Sequence, residues 1–229
     1  NQVPYRANIY ALKSLGVRQV ISVSACGSLR EHMHPGDIVI PDQLLDFTKN
    51  RTSTFFGEGL VAHISVAEPF CPQLSGLLAD ATAAASGQDE VNIHIGGNFI
   101  TIEGPRFSTK AESYTFRAWG MDIIGMTASP EAYLAREAGL CYATMAHITD
   151  YDVWHESEET VTVEMVIKQL NANIGLAQRT ITELAPRLAQ VKRTCDCAEA
   201  LKTAIITARD KIPPETREKL RLITEPYLG

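Results

Sequence analysis

The hydrophobic and polar positions of the chain alternate between helical and strand spacing. Apolar residues at helical spacing in "PYRANIYALKSLG" predict a helix that ends at Gly16, and the β-branched run "QVISVSA" after it predicts a buried strand. Further strands are predicted in "DIVIPDQLLDF", "MDIIGMT" and "LCYATMAHITD", and a strand pair or hairpin in "VNIHIGGNFITIEGP". This order indicates the α/β class: a mixed central β-sheet flanked by helices on both faces, with functional residues at the carboxyl ends of strands.

The predicted helices lie between the strands, in "PQLSGLLADATAAAS", "TKAESYTFRAWG" and "PEAYLAREAG". Ser129 and Pro130 supply the last of these with an N-cap and a first-turn proline. From Thr162 onward apolar residues trace one face of a long helix, and a tail with helical pieces follows Pro186. The polar loop "TKNRTSTFFGEG" is long enough to predict a surface or interface element.

Composition narrows the size and the partners of the protein. With 229 residues and 45% hydrophobic residues, we expect a single domain over residues 1–229, in which residues 191–229 form a C-terminal helical tail. The net charge of -6 offers no basic face to nucleic acid, and no segment approaches the roughly 20 apolar residues that span a bilayer. We therefore expect neither nucleic acid nor membrane as a partner. The N-terminal residues lack the layout of a signal peptide, which predicts a cytoplasmic location.

The five cysteines are too few for a disulfide scaffold of this size. Only "CDC", Cys195 and Cys197, has unusual spacing. One intervening residue is too tight for the usual CxxC zinc motif, and no second pair of ligands follows it. Two ordinary reduced thiols, a local redox pair and a disulfide to another cysteine all stay open, and no metal site is predicted.

Four predicted strand ends carry the candidate chemistry, and they read "SACGS", "EGPRF", "GMT" and "TDYD". Neither a GxGxxG turn nor a Walker lysine loop is present, which argues against the common dinucleotide and triphosphate sites. Hydroxyls, small residues, an aromatic ring and acids suit a small neutral ligand instead. Phe107 could stack on a flat ring and Met126 could pack against a sugar, although each alone is more typical of a core than of a ligand contact.

Seven long segments of the sequence together resemble a known protein family. They are "YRANIYALKSLG", "SACGSLRE", "PGDIVIPDQ", "VAEPFCP", "TIEGPRFSTKAES", "GMTASPEAYLAREAGLCYA" and "TDYDVWHE", and they are spread over residues 4–185, most of which the resemblance covers. These segments resemble the trimeric purine nucleoside phosphorylase family, and within it the 5'-methylthioadenosine phosphorylase branch. The resemblance implies a nucleoside phosphorylase-like fold, in which this chain lacks the family's N-terminal strand and glycine loop.

The family cleaves the N-glycosidic bond of purine nucleosides with inorganic phosphate. The resemblance implies phosphorolysis of a 6-aminopurine nucleoside, namely 5'-methylthioadenosine plus phosphate to adenine plus 5-methylthioribose 1-phosphate, in purine and methionine salvage. It implies no cofactor, with inorganic phosphate as co-substrate, and a homotrimer or a hexamer of two trimers. The alternatives are a phosphorylase of other or broader base specificity, and a non-catalytic nucleoside-binding fragment that lacks its phosphate loop.

By the same resemblance, two acids act on the base. Asp150 supplies a proton or a strong hydrogen bond at purine N7, and Asp152 accepts from the 6-amino group directly or through water. A carboxylic acid can donate near neutral pH only if burial or an acidic neighbour raises its pKa. The alternative for "DYD" is an exposed turn with helix-capping acids.

Other contacts of the nucleoside also follow from the resemblance. Ser108 can donate to adenine N1, where the guanine- and hypoxanthine-specific branch has a glutamate, and it can also cap the following helix. Val163 and Val166 would bury the methylthio group, although valines in an amphipathic helix are usually core. His63 resembles a residue that the family contributes to the neighbouring subunit's site, but a lone histidine is more often structural.

The phosphate site is the incomplete part of the resemblance. Ser24, the Ala25 backbone amide and Thr127 would bind phosphate. The family also uses a glycine loop and an arginine–histidine pair upstream of "YRAN", which this sequence does not contain. We therefore expect that residues 1–229 are a fragment of a longer product and that, alone, they are nearly inactive.

Overall fold

A seven-stranded mixed β-sheet organises the residues that the structure describes. The structure is a computed structural model that describes residues 2–87, 91–155 and 162–228. The spatial order of the strands is β3-β5-β6-β1-β7-β2-β4. The long central strands β1 and β7 run parallel, from Gln19 opposite Cys141 to Gly27 opposite Asp150. The strands are β1 (Gln19–Ser28), β2 (Ile38–Ile40), β3 (Gln43–Phe47), β4 (Ile93–Ile95), β5 (Asn98–Ile102), β6 (Ile123–Gly125) and β7 (Cys141–Asp150).

The hairpin alternative for "VNIHIGGNFITIEGP" is wrong, because β4 and β5 do not pair with each other. β4 pairs in parallel with β2, and β5 pairs in parallel with β3. Gly96 and Gly97 separate the two strands at φ values of 89° and 123°, which glycine adopts without steric cost. The Asp42 carboxylate accepts a hydrogen bond from the Gly97 amide at 2.9 Å. This hydrogen bond joins the connection between β2 and β3 to the connection between β4 and β5.

The helices follow the predicted order with two differences at their ends. The long helix α5 continues one turn beyond Pro186, where the tail was predicted to begin. The regular part of α4 starts at Pro130, because Ser129 has an extended backbone. The helices are α1 (Tyr5–Ser14), α2 (Pro72–Ser86), α3 (Lys110–Ala118), α4 (Ala128–Glu137), α5 (Val163–Gln190), α6 (Pro214–Lys219) and α7 (Arg221–Leu228), with 3-10 turns at Asp196–Glu199 and Arg209–Lys211.

Strand β7 is buried along its whole length and divides the core into two layers. Its alternate residues Cys141, Ala143 and Met145 pack in a cluster with α2 and α5. The intervening residues Tyr142 and Ala146 pack in a second cluster with α1 and α4. Helices thus cover both faces of the sheet, as predicted. Among the described residues, none of the helices has both the length and the apolar character needed to cross a bilayer.

The loop over residues 48–59, which was predicted as a surface or interface element, is mostly exposed but also places several side chains inside the protein. The Arg51 side chain is only 3% exposed, and Phe55 and Phe56 are buried. The Glu137 carboxylate accepts from the Thr54 hydroxyl at 2.6 Å and from the Phe55 amide at 2.7 Å. Polar residues in this loop serve the interior, which their sequence pattern does not reveal.

The tail after α5 packs against both layers of the core. Its residues Leu201, Ile212 and Ile223 are buried in the cluster with α1 and α4, while Cys197 belongs to the cluster with α2 and α5. The tail also forms a β-bridge between Ala62 and Ile205. The tail therefore stabilises the segment that carries residues 61–64.

Candidate active site

A cavity of about 220 Å³ lies where β1, β6 and β7 meet. The sequence rule placed sites at the carboxyl ends of parallel strands, but β6 runs antiparallel to β1, with Gly27 opposite Ile124. Residues after β6 consequently return alongside β1 and reach the same cavity. The lining residues are Ala25, Cys26, Gly27, Ile102, Phe107, Ser108, Ile124, Gly125, Met126, Thr127, Thr149, Asp150, Asp152 and Val166.

The carboxylates of Asp150 and Asp152 lie in the cavity and are largely buried, at 8% and 6% exposure. The two Asp150 oxygens accept hydrogen bonds from the Thr149 hydroxyl at 2.7 Å and from the Asp152 amide at 2.8 Å. Burial raises the pKa of the Asp150 carboxyl above its ordinary value, because the charged form loses hydration. The alternative of an exposed acidic turn does not describe this pair.

Asp152 has a backbone and a side chain that are both unusual. Its φ of 52° lies in the left-handed region, which non-glycine residues rarely adopt outside turns and functional sites. Its buried Oδ2 has no hydrogen-bond partner among the described residues. Burial is the largest cause that raises the pKa of this carboxyl; the neighbouring Ser113 hydroxyl partly opposes the shift, and the nearby Asp150 charge adds to it. An oxygen in this state can accept a hydrogen bond from a bound ligand.

Ser108 presents a second unpartnered polar atom to the cavity. Its side chain is 9% exposed, and its Oγ has no hydrogen-bond partner in the described part of the chain. The helix-capping alternative for Ser108 is wrong, because Thr109 caps α3. The Thr109 hydroxyl accepts from the Glu112 amide at 3.2 Å, while the Glu112 carboxylate accepts from the Thr109 amide at 2.8 Å. The Ser108 hydroxyl therefore remains available to a ligand.

Two hydroxyls lie together at the β1 and β6 side of the cavity. The Ser24 and Thr127 oxygens are hydrogen-bonded at 2.8 Å, and Ser22 lies 3.3 Å from Ser24. Ser24 is buried, whereas Thr127 is exposed and lines the cavity together with Ala25. Hydroxyl groups of this kind can donate to an anion.

Arg51 holds three segments of the cavity wall from behind, a role that the sequence did not reveal. Its Nη1 donates to the carbonyl oxygens of Met126 at 2.7 Å and Ser129 at 2.6 Å. Its Nη2 donates to the carbonyl oxygens of Ile102 at 3.2 Å and Glu103 at 2.8 Å. The Glu103 carboxylate pairs with the Arg51 Nε at 3.3 Å. The planar guanidinium therefore joins the ends of β5, β6 and the start of α4.

Two of the residues proposed from the sequence lie outside the cavity. Val163 is 57% exposed at the start of α5, whereas Val166, one turn later, lines the cavity. His63 is exposed, and its backbone amide donates to the Ala204 carbonyl in the tail at 2.9 Å. The other residues proposed for the nucleoside and for phosphate line the cavity or contact a residue that does.

Several lining residues gave no functional signal in the sequence, because most of them are glycines or apolar residues of the strands. Gly27 is the most informative, since an added Cβ would lie 2.9 Å from Asp150 Oδ1. Gly104, with φ of 69°, similarly allows Met126 to approach closely. The glycines in "SACGS" and "EGPRF" were the only sign in the sequence that neighbouring side chains approach the backbone at these positions. The other missed lining residues are Cys26, Ile102, Ile124, Gly125 and Thr149.

Comparison with known proteins matches this architecture. Residues 1–186 match the model of the phosphorylase superfamily. The chain is 51% identical over 227 residues to S-methyl-5'-thioadenosine phosphorylase from Thermosynechococcus vestitus, covering 99% of this chain and 78% of that protein.

Solved structures of similar proteins share the fold of this chain. A methylthioadenosine phosphorylase sourced from an antarctic soil metagenomic library superposes with a TM-score of 0.92 at 46% identity, over 97% of this chain and 77% of the other. A mutant adenosine/methylthioadenosine phosphorylase from Schistosoma mansoni, solved in complex with methylthioadenosine, gives a TM-score of 0.76 at 37% identity, over 83% and 72% of the two chains. The chain belongs to the phosphorylase superfamily.

Proposed function

We propose that this protein catalyses phosphorolysis of 5'-methylthioadenosine, giving adenine and 5-methylthioribose 1-phosphate. The observation that carries this proposal is the pair of buried acids, Asp150 and Asp152, facing one cavity together with the unpartnered Ser108 hydroxyl. Relatives about half identical over nearly the whole chain bear the name of this activity. The reaction breaks the bond between the sugar and purine N9, so the site must neutralise charge that develops on the leaving base.

Asp150 is the proposed proton donor to N7 of the leaving purine. Its raised pKa favours the neutral acid, which can donate as negative charge develops on the base. The acid form is lost as pH rises through that pKa. The value of kcat/KM should therefore fall with rising pH, and this limb should disappear in Asp150→Asn.

Asp152 and Ser108 are the proposed readers of the adenine edge. The unpartnered Asp152 oxygen can accept from the 6-amino group, and the unpartnered Ser108 hydroxyl can donate to N1. Phe107, which is 36% exposed at the cavity, can stack on the purine ring. A 6-oxo purine would instead present an oxygen toward Asp152 and a hydrogen at N1. Such a base would set its O6 against the ionised Asp152 carboxylate, which favours adenine, whereas the Ser108 hydroxyl could accept from N1 as well as donate to it.

Phosphate is proposed to bind at Ser24, Thr127 and the Ala25 amide, opposite the leaving base. The described lining residues include no lysine or arginine. We therefore propose that positively charged groups other than these lining residues neutralise the phosphate, as the family resemblance implies. Inorganic phosphate is the co-substrate in this proposal, and no cofactor takes part.

The methylthio end of the substrate is proposed to pack against Val166. Removing such a group from water contributes about 1–2 kcal/mol. We propose that Val163, together with His63 of a neighbouring subunit, completes this end of the site in a homotrimer. The complete site is then formed by two subunits. Exposed apolar side chains at Ile167, Ile174 and Ile181 on α5 support such assembly, because water-exposed apolar stripes are normally covered.

A cytoplasmic location and a single domain with a C-terminal tail belong to the same proposal.

A ratio of specificity constants tests the base-recognition part of this proposal. In the complete gene product, kcat/KM is measured for methylthioadenosine and methylthioinosine, with product analysis and with phosphate present or omitted. Asp150→Asn should lower methylthioadenosine turnover about 100- to 10,000-fold. The ratio should shift toward methylthioinosine, because position 150 faces both N7 and the 6-position in the proposed pose, so the introduced amide can donate to O6. Adding Ser108→Glu should extend the shift, because the glutamate accepts the N1 hydrogen.

Asp80→Asn is the matched control, because it makes the same chemical change on an exposed position of α2. It should leave both rates unchanged. An unchanged ratio in both site variants would show that these residues do not read the base. Turnover of several purine nucleosides at similar rates would favour the broader-specificity phosphorylase, and binding without phosphate-dependent turnover would favour the non-catalytic alternative.

A further inference from the structure

Four of the five cysteines meet far from the nucleoside cavity. The Sγ atoms of Cys71, Cys141, Cys195 and Cys197 all lie within 4.8 Å of one another. Cys71 immediately precedes α2, Cys141 begins β7, and Cys195 and Cys197 flank the start of the first 3-10 turn. No second pair of ligands follows "CDC" in the sequence. In the structure the other two cysteines of the group come from upstream positions, Cys71 and Cys141, on different elements.

The spacing of the sulfur atoms fits one tetrahedral ion. Zinc binds thiolates at about 2.3 Å, so sulfur atoms at the corners of a zinc tetrahedron are roughly 3.8 Å apart. Cys141 and Cys195 have a sulfur–sulfur distance of 3.4 Å, and no pair in the group exceeds 4.8 Å. These separations bracket the expected value. Four sulfur ligands in this geometry are typical of zinc rather than of calcium or magnesium, which prefer oxygen.

Two arginines supply the charge that such a site needs. Arg136 donates from Nη1 to the Cys197 sulfur at 3.1 Å, and Arg193 donates from Nε to the Cys195 sulfur at 3.5 Å. Four thiolates around a divalent ion carry a net charge of about -2 by simple addition, which two guanidinium groups offset. Hydrogen bonds to the ligand sulfurs are the outer contacts that orient metal ligands in proteins.

The surrounding backbone holds the ligands in place, and three of the four are closed to solvent, while Cys195 is partly exposed. Cys71, Cys141 and Cys197 are each 2% exposed. The Gln73 side-chain oxygen accepts from the amides of Thr194 at 2.9 Å and Cys195 at 3.2 Å, which ties the "CDC" segment to α2. All ligand positions are filled by protein, which is the arrangement of structural rather than catalytic zinc sites.

We infer that Cys71, Cys141, Cys195 and Cys197 form a structural zinc site that fastens the C-terminal tail to the start of β7 and α2. Binding releases the thiol protons to solvent and leaves four zinc–sulfur bonds, with no change in oxidation state. The inference is independent of the proposed enzymatic function, because none of the four cysteines lines the nucleoside cavity.

Zinc binding by the complete gene product tests the inference directly. Protein prepared with reductant is analysed for metal by mass spectrometry, and zinc affinity is measured by competition with a chromophoric chelator. We expect one zinc ion per chain. Cys197→Ser should weaken zinc affinity about 100-fold or more, and Arg136→Gln should weaken it about 10- to 100-fold. Cys26→Ser is the matched control, since Cys26 is the one cysteine outside the group, and its zinc content should not change.

Cobalt provides a measurement that does not require any variant to fold. Wild-type protein reconstituted with Co²⁺ should show thiolate-to-metal charge-transfer absorption and the intense visible bands of a tetrahedral site. Thiol counting under non-reducing conditions, in protein purified without reductant, distinguishes the disulfide alternative. Failure of the reduced protein to bind zinc when all five thiols are counted as free would overturn the inference. Retention of a different metal, or disulfides among these cysteines in the protein purified without reductant, would overturn it as well.

Discussion

Replacing Gly27 with alanine tests whether the position of the acid pair limits catalysis. Gly27 lies beside the cavity at the end of β1, and its φ does not require glycine. An alanine Cβ would lie 2.9 Å from Asp150 Oδ1, 3.1 Å from Ile124 Cγ2 and 3.3 Å from Asp152 Cβ. The substitution therefore acts by crowding the two carboxylates and not by straining the backbone.

The magnitude follows from these distances. Comfortable contact between non-bonded heavy atoms begins near 3.5 Å, so the Asp150 oxygen must move by roughly 0.5 Å. A misplacement of about 1 Å can cost about 100-fold in rate, so half of that distance corresponds to about tenfold. Tenfold equals about 1.4 kcal/mol in the activation barrier. Crowding a packed site should also lower the free energy of unfolding by about 1–3 kcal/mol.

The assay is kcat/KM for methylthioadenosine at saturating phosphate, together with urea unfolding, in the complete gene product. Gly76→Ala is the matched control, because the alanine Cβ would meet nothing within 4 Å on helix α2. It should change kcat/KM by less than about twofold and stabilise the helix by up to about 1 kcal/mol. A folded Gly27→Ala protein with kcat/KM within about twofold of the parent would refute the reasoning.

Three further substitutions give independent tests. Burial lowers the pKa of His147 to about 4, whereas the imidazole of the unfolded chain is protonated below about pH 6.5. Acid therefore favours the unfolded state, and between pH 7.5 and 5 the parent should lose about 2 kcal/mol more unfolding free energy than His147→Met. Urea titration at the two pH values measures this difference. Arg51→Lys should lower unfolding free energy by about 2–3 kcal/mol and reduce kcat/KM, because an ammonium cannot serve the same planar set of acceptors. Val166→Thr should lower the preference for methylthioadenosine over adenosine about fivefold or more, whereas Val163→Thr, which is outside the cavity, should change it less. Equal pH profiles, an unaffected Arg51→Lys protein, or equal effects of the two valines would contradict these arguments.

Local patterns predicted the elements of the fold better than their pairing. The runs that became β1 and β7 are long and strongly apolar, so their type is clear from the sequence. Pairing depends on contacts between distant segments, and nothing in the period of "VNIHIGGNFITIEGP" distinguishes a hairpin from two strands that pair elsewhere. The observed partners of β4 and β5 come from a different region, β2 and β3.

The candidate site shows the same division between local and distant information. Asp150, Asp152 and Ser108 could be proposed because they lie at or beside predicted strand ends and because the resemblance to the nucleoside phosphorylase family implies their roles. Arg51 could not, because an arginine in a polar loop normally points to solvent. Its nearly complete burial results from carbonyl groups of three separate segments, which only the folded chain brings within reach of one guanidinium.

The cysteine group is the strongest case of information that only the fold supplies. Zinc motifs are recognisable in sequences when ligands come in close pairs, and here two of the four ligands are single cysteines on separate elements. A metal that joins distant segments restricts the unfolded chain more than one that closes a short loop, so the proposed ion should contribute most to holding the tail. The tail in turn binds the His63 amide through Ala204. Removing the proposed zinc ion should therefore loosen the His63 segment before it disturbs Asp150, and proteolysis or hydrogen exchange with and without chelator would detect that order.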